Sequence, residues 1–233
     1  MKHGKCCIGL VLISIHLLLT PLPVSGGDVY LNLGGVRGNK PVRSLQEIRW
    51  AHTVRQRWDN SCGSAALSTI LTHHYQDKTS EAVIIMSILR RTDPVKIRAK
   101  GGFSLLDLKR FVESKGYLGR GYADLNLEEL VGLGAPAIVP VVMRGYDHFV
   151  VFRGIRGNRV VLSDPAFGNV TMTVDRFLGM WKGGIGFVAL KPPSAPPARG
   201  LDPKPEEIVI PVDGFVARSA LDIRPVPLSR RNH

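Results

Sequence analysis

The stretch Asn60-Ser61-Cys62-Gly63-Ser64-Ala65-Ala66-Leu67-Ser68-Thr69-Ile70-Leu71, residues 60–71, decides how the rest of the chain is read. Ala65, Leu67, Ile70 and Leu71 recur at roughly helical intervals and the pattern runs on to Tyr75, so a core helix is predicted over 62–75. Asn60 or Ser61 is placed to cap its first turn, because a short polar side chain can accept from N–H groups that have no partner within the helix. Cys62 then stands at a helix N-terminus. A cysteine attacks as its thiolate, and a helix N-terminus with an imidazolium nearby keeps that form populated at neutral pH. Gly63 leaves room for a substrate to approach the backbone. Cysteine is also a common small core residue, so placement alone leaves a reactive thiol and an inert one both open.

Downstream, Val83, Ile84, Met86, Ile88 and Leu89 predict a second helix over 81–91, ending before Asp93-Pro94. A third follows Gly101-Gly102, where Ser104 and Asp107 resemble a capping box, and carries Leu105, Leu108 and Phe111 on one face. A short turn over 127–130 is a fourth. Beyond Pro136 the texture changes: 137–143 and 148–152 are near-continuous apolar runs, as in strands buried on both faces. Gly157-Asn158 then separates the second run from a strand at 160–163, as a hairpin turn does. Strands at 171–174 and 187–190, with a short helix over 175–181 between them, complete the set. Helices first and a meandering sheet afterwards define an α+β domain, with N-terminal helices packed on an antiparallel sheet.

Upstream, Lys2, His3 and Lys5 precede an apolar run from Ile8 to Leu19, then Pro21, Pro23 and Val24-Ser25-Gly26. That order of cationic, apolar and small residues predicts a signal peptide over 1–26, with the mature chain starting near Gly27 or Asp28. No later stretch approaches the roughly 18 apolar residues of a spanning helix, so no stable membrane span is expected once the signal is cut; an uncleaved signal would act as an anchor. Residues 27–51, Gly-rich and with little periodicity, are expected to form an extended lead-in. Residues 52–190 form the domain, and Pro192, Pro193, Pro196 and Pro197 open a Pro-rich tail over 191–233 with one apolar patch at 208–212. Cys6 and Cys7 leave with the signal peptide. Cys62 becomes the single cysteine of the mature chain, so it is buried and inert, paired with another molecule, or reactive.

The formal net charge of +12 raises a nucleic-acid partner, but the basic residues are scattered from Arg37 to Arg231 without a recognisable binding module. A solvated basic surface accounts for them, and no nucleic acid is expected as partner. His73-His74 is not a metal pair, because adjacent helical positions do not converge on one ion; neither a metal nor a cofactor is expected.

A nucleophilic cysteine needs a base, and His148 is the best placed. It opens an apolar strand after the turn-like Arg144-Gly145-Tyr146-Asp147 and is held at the edge of a sheet. His52, His73 and His74 are read as surface or loop positions, and His233 is terminal. The base needs an acceptor that fixes its tautomer, and Asp164 ends the next strand. Asp before Pro165 is equally a turn former, so both roles stay open. Gln56, in the polar stretch before Cys62, can supply a side-chain amide to a developing oxyanion alongside the Cys62 N–H.

In order, 56–63 (Gln-Arg-Trp-Asp-Asn-Ser-Cys-Gly), 101–108 (Gly-Gly-Phe-Ser-Leu-Leu-Asp-Leu), 145–151 (Gly-Tyr-Asp-His-Phe-Val-Val) and 163–168 (Ser-Asp-Pro-Ala-Phe-Gly) resemble the C39, or double-glycine, cysteine peptidases. The resemblance spans about 52–190. It implies a papain-like fold, a triad of Cys62, His148 and Asp164, and Gln56 in the oxyanion hole. Ser61 departs from the aspartate that many transporter-fused members carry before the nucleophile. With no transporter or ATPase segment in the sequence, the resemblance narrows to free-standing, signal-bearing members encoded with bacterial functional-amyloid secretion systems. It then implies a periplasmic enzyme acting on an exported polypeptide substrate, such as an amyloid subunit or a secretion-system component. Two other roles stay open at this level: a non-catalytic chaperone or adaptor holding extended chains in the same groove, and transacylation or amide hydrolysis on peptidoglycan.

Overall fold

A computed structural model of the chain describes residues 28–33, 36–41, 43–99, 101–143, 145–192 and 198–207. The expected signal segment 1–26 and the apolar patch 208–212 lie outside them. The chain divides into two units, one ending at Ser44 and one beginning at Leu45. In the first, β1 (Asp28–Leu33) and β2 (Val36–Pro41) pair as an antiparallel hairpin, with Asp28 opposite Pro41 and Leu33 opposite Val36.

The second unit begins with a short helix, α1 (Leu45–Arg49), followed by α2 (Cys62–Thr69), α3 (Glu81–Leu89), α4 (Pro94–Ala99) and α5 (Leu105–Ser114). Strand β3 (Leu118–Tyr122) and helix α6 (Leu127–Gly132) lead into β4 (Ala137–Met143), β5 (Tyr146–Arg156), β6 (Arg159–Asp164) and β7 (Gly168–Thr173). Helix α7 (Val174–Met180) and strand β8 (Gly186–Leu190) follow. Six strands form one antiparallel sheet in the order β3-β8-β4-β5-β6-β7. The Gly157-Asn158 turn joins β5 to β6 with Arg156 opposite Arg159, and Gly157 takes the positive φ of 59° that such a turn requires.

Both faces of this sheet are covered, which is why its central strands are apolar without alternation. Ile138, Val151, Phe187 and Ala189 pack under α2, α3 and α5 with Leu67, Ile70, Ile84, Leu108 and Phe111. Val139, Val141, Val150, Phe152 and Val188 turn the other way, against Leu130 of α6 and Phe177 of α7. The α+β architecture expected from the sequence is the one observed.

Four features differ from the sequence reading in detail. Strand β3 has the unpromising sequence Leu-Gly-Arg-Gly-Tyr, but its register with β8 is continuous from Leu118↔Leu190 to Tyr122↔Gly186. Gly119 is required there because α5 presses close: an added Cβ would lie 3.0 Å from side-chain atoms of Lys109 and Val112. Asp93-Pro94 ends one helix and also opens another, α4, since proline suits the first helical position and Asp93 Oδ1 accepts from the Val95 N–H at 2.8 Å. The predicted 62–75 helix changes pitch at Ile70, and 70–74 is π-helical, with the Tyr75 N–H donating to the Ile70 carbonyl at 3.2 Å. That wider turn carries His74 inward, so His74 is buried against Tyr75 rather than on the surface. Finally, part of the expected tail packs on the domain. Leu201 is fully buried in the α2 side of the core, and Arg153 from β5 donates to the Leu201 carbonyl at 2.9 Å and to both carboxylate oxygens of Glu207, at 2.7 and 3.0 Å.

Candidate active site

Cys62 is the first residue of α2 and is partly exposed; it is a free thiol. Ser61 occupies the N-cap position but does not cap. Its hydroxyl donates instead to the Trp58 carbonyl at 2.7 Å and to the Glu81 carboxylate, so neither Ser61 nor Asn60 supplies the side-chain cap expected from the sequence. The N–H groups that a cap would take, those of Gly63 and Ser64, therefore get no bond from Ser61, and the Cys62 N–H, at the first helical position, has no partner within the helix in any case. Asn60 adopts a positive φ of 61°, and its carbonyl backs onto Gly102, where an added Cβ would lie 2.7 Å away. The Gly101-Gly102 loop is thus pressed against the chain just before Cys62.

His148 lies near the start of β5 and Asp164 ends β6, and the antiparallel pairing of Val151 with Ser163 brings those ends together. The ring Nε2 lies 2.8 Å from Asp164 Oδ1, and the aspartate side chain is only 1% exposed. With Nε2 engaged by a carboxylate, Nδ1 is the nitrogen left to act on Cys62, which lines the same cavity as the ring. Burial works against a charged ring, but hydrogen bonds to Asp164 and Cys62 and the negative charge of those partners outweigh it, holding His148 up at about 9. Asp164 Oδ1 also accepts from the N–H groups of Ala166, at 2.7 Å, and Phe167, at 3.1 Å, while its buried Oδ2 has no partner among the described residues. The Asp-Pro turn and the contact to the imidazole are thus made by one oxygen.

Cys62 and His148 open onto a cavity of about 300 Å³. Asn60, Gly101, Gly102 and Phe103 line one side, and Pro140, Asp147, Lys182 and Ile185 the other. Lys182 bridges to Asp147 at 2.9 and 3.0 Å across its mouth. Gln56 does not line this cavity. It stands on the chain leading to Cys62, its N–H donating to the Pro165 carbonyl at 2.9 Å and its Oε1 buried without a partner among the described residues. A larger hollow, about 930 Å³, opens on the Gln56 side, lined by Arg55, Arg57, Lys78 and Glu81 among others; it touches neither Cys62 nor His148, so the chemistry belongs to the smaller one. His52 and His73 stack edge to face with ring centroids 5.6 Å apart and line neither cavity.

A thiol at a helix N-terminus beside a carboxylate-bound imidazole is the arrangement of a cysteine hydrolase. The Peptidase C39 family model matches residues 50–192, and the chain belongs to that family; it is a cysteine peptidase. It is 38% identical over 189 residues to the probable functional amyloid protease FapD of Pseudomonas aeruginosa, covering 81% of this chain and 79% of that one. The protein of the same name from Pseudomonas fluorescens is also 38% identical, over 185 residues, 78% of this chain and 77% of that one. In fold, the chain is similar to the peptidase domain of Streptococcus ComA, with a TM-score of 0.50 at 23% identity over 60% of this chain and 98% of that domain.

Glu81 drew no attention in the sequence, where it is one more acidic residue in a helix's first turn. In the structure it is buried and bonded both to Ser61 and to the backbone beside Gln56. The only sequence signal was its place, directly after the Ser80 cap and before an apolar helix.

Proposed function

We propose that this peptidase cleaves peptide bonds of an exported polypeptide with Cys62 as nucleophile, His148 as acid and base, Asp164 as the group that orients the imidazole, and Gln56 as an oxyanion donor. The observation that carries this reading is the imidazole of His148, bound by Asp164 and lining the same cavity as Cys62. An imidazolium at the sulfur favours a thiolate there. The thiolate attacks the scissile carbonyl carbon, forming a C–S bond, and negative charge moves to the carbonyl oxygen. The Cys62 N–H at the helix N-terminus and the Gln56 side chain receive that charge; of the amide's two ends only the NH₂ group can donate, and it has to turn from the neighbouring hollow that Gln56 lines. The C–N bond breaks as His148 gives its proton to the leaving amine, after which His148 takes a proton from the water that attacks the thioester. A carboxylic acid product leaves, and the thiolate–imidazolium pair is restored.

The similarity to functional amyloid proteases supports an exported amyloid-related chain as substrate. The cationic, apolar and small-residue order over 1–26 supports export and a periplasmic workplace. The test is mass spectrometry of the exported proteins from cells carrying wild type or Cys62→Ala. Processed termini are expected with wild type and absent with Cys62→Ala; identical termini in the two contradict the proposal.

A further inference from the structure

Glu81 opens α3, yet it is only 4% exposed. A carboxylate that far from water is costly unless hydrogen-bonded, and the bonds it makes show what the cost supports. Both its oxygens face the Arg57 N–H, Oε2 at 3.2 Å and Oε1 at 3.4 Å, and Oε1 also accepts from the Ser61 hydroxyl. Residue 57 directly follows Gln56, and residue 61 directly precedes Cys62. One carboxylate is therefore bonded next to each of the two groups that receive the oxyanion in the mechanism above.

We infer that Glu81 is a positioning residue that sets the spacing between the Gln56 amide and the Cys62 N–H. The inference rests on the peptidase reading. The segment carrying Gln56 is anchored at three points: the Val54 N–H to Thr69 Oγ1 of α2 at 3.0 Å, the Gln56 N–H to the Pro165 carbonyl at 2.9 Å, and the Arg57 N–H to Glu81. The first two fix it to the nucleophile helix and to the turn after Asp164. Glu81 ties its far end to the residue before Cys62, beside the bond from the Ser61 hydroxyl to the Trp58 carbonyl at 2.7 Å. The same carboxylate draws the Ser61 hydroxyl away from the N–H groups of Gly63 and Ser64, which an N-cap side chain would take. Glu81's own charge is favoured at the N-terminus of α3.

A glutamine at this position can accept from the Arg57 N–H with its oxygen and donate its NH₂ to the Ser61 hydroxyl, which then gives its proton to the Trp58 carbonyl, so the tie is kept without the charge and is weaker. Purified wild type, Glu81→Gln and Glu81→Ala are compared on an acetylated peptide ending in Gly-Gly-aminomethylcoumarin, alongside iodoacetamide alkylation of Cys62, which needs no oxyanion hole, and thermal unfolding. Glu81→Ala is expected to lower kcat by about tenfold to hundredfold with KM within about twofold, and to leave alkylation within about threefold; Glu81→Gln falls between. If Glu81→Ala does not fold, the same split between kcat and alkylation is required of Glu81→Gln. Unchanged kcat in the variants overturns the inference, as does a parallel loss of kcat, alkylation and Tm, which marks a purely structural role. Wild type that neither turns over the peptide nor alkylates faster than free cysteine contradicts the peptidase mechanism, and this inference with it. An active wild type with indifferent Glu81 variants removes only the role of Glu81.

Discussion

At Asp164 one oxygen does all of the accepting. Oδ1 takes the imidazole and two backbone N–H groups, while Oδ2 is buried and unpartnered among the described residues. Asparagine presents the same acceptor oxygen without the charge, so Asp164→Asn is expected to lose less peptidase activity near pH 6.5 than Asp164→Ala, which removes the acceptor and loses about 10²- to 10³-fold. What asparagine does not supply is the negative charge that raises the ring. His148 moves from an ordinary 6.5 to about 9 in the folded protein, so the stability it contributes is fully present below about pH 6.5 and is lost as pH rises through about 9. Denaturant midpoints across pH 6 to 10 are expected to fall over that window in wild type and to stay flatter in Asp164→Asn; parallel curves count against the ion pair. Cys62, His148, Asp164 and Gln56 were expected from the sequence once their order resembled a family pattern; the structure bonds His148 to Asp164 and puts His148 and Cys62 on one cavity, with Gln56 on the chain leading to Cys62 and outside that cavity. Glu81 was not expected, because its importance lies in bonds to residues 57 and 61 that no local pattern announces.

Among the elements, the loop of Gly101 and Gly102 offers a clean comparison between neighbours. Both have positive φ, 73° and 142°, but a Cβ on Gly101 meets nothing within 4 Å, whereas one on Gly102 meets the Asn60 carbonyl at 2.7 Å. Gly101→Ala is expected to cost about 1 kcal/mol of stability from backbone strain alone and to leave turnover nearly unchanged. Gly102→Ala displaces the chain two residues before the nucleophile and is expected to cost about 1–3 kcal/mol and to lower kcat. Equal behaviour of the two variants in urea unfolding and peptide hydrolysis would show that the contact with Asn60 does not matter. The helices α2, α3 and α5 and the strands β4 to β6 were legible because apolar periodicity and turn residues mark them. Strand β3 was not, since two glycines and an arginine hide a strand whose register is set by β8 and whose glycine is set by α5. The π-helical turn was equally hidden, because a pattern of apolar residues does not reveal a change of pitch.

For the whole molecule, the sequence marked a domain end at its prolines, but packing extends further. Arg153 is buried in the sheet and its charge is met by Glu207 and by the carbonyls of Leu201 and Asp202, from residues 198–207. Ending the chain after Pro197 leaves that guanidinium buried and unpaired, and is expected to cost about 3–5 kcal/mol, on the scale of breaking a buried ion pair. A chain ending after Glu207 keeps every described contact and is expected to match full length in Tm; equal destabilisation by both truncations contradicts this view of the segment. In the proposed mechanism the sheet and α2 together deliver an activated thiol. The rate at which iodoacetamide alkylates Cys62 in wild type and in His148→Ala at neutral pH measures that activation. Wild type is expected to react faster than free cysteine, and His148→Ala is not. A wild-type rate no greater than that of free cysteine would contradict that mechanism.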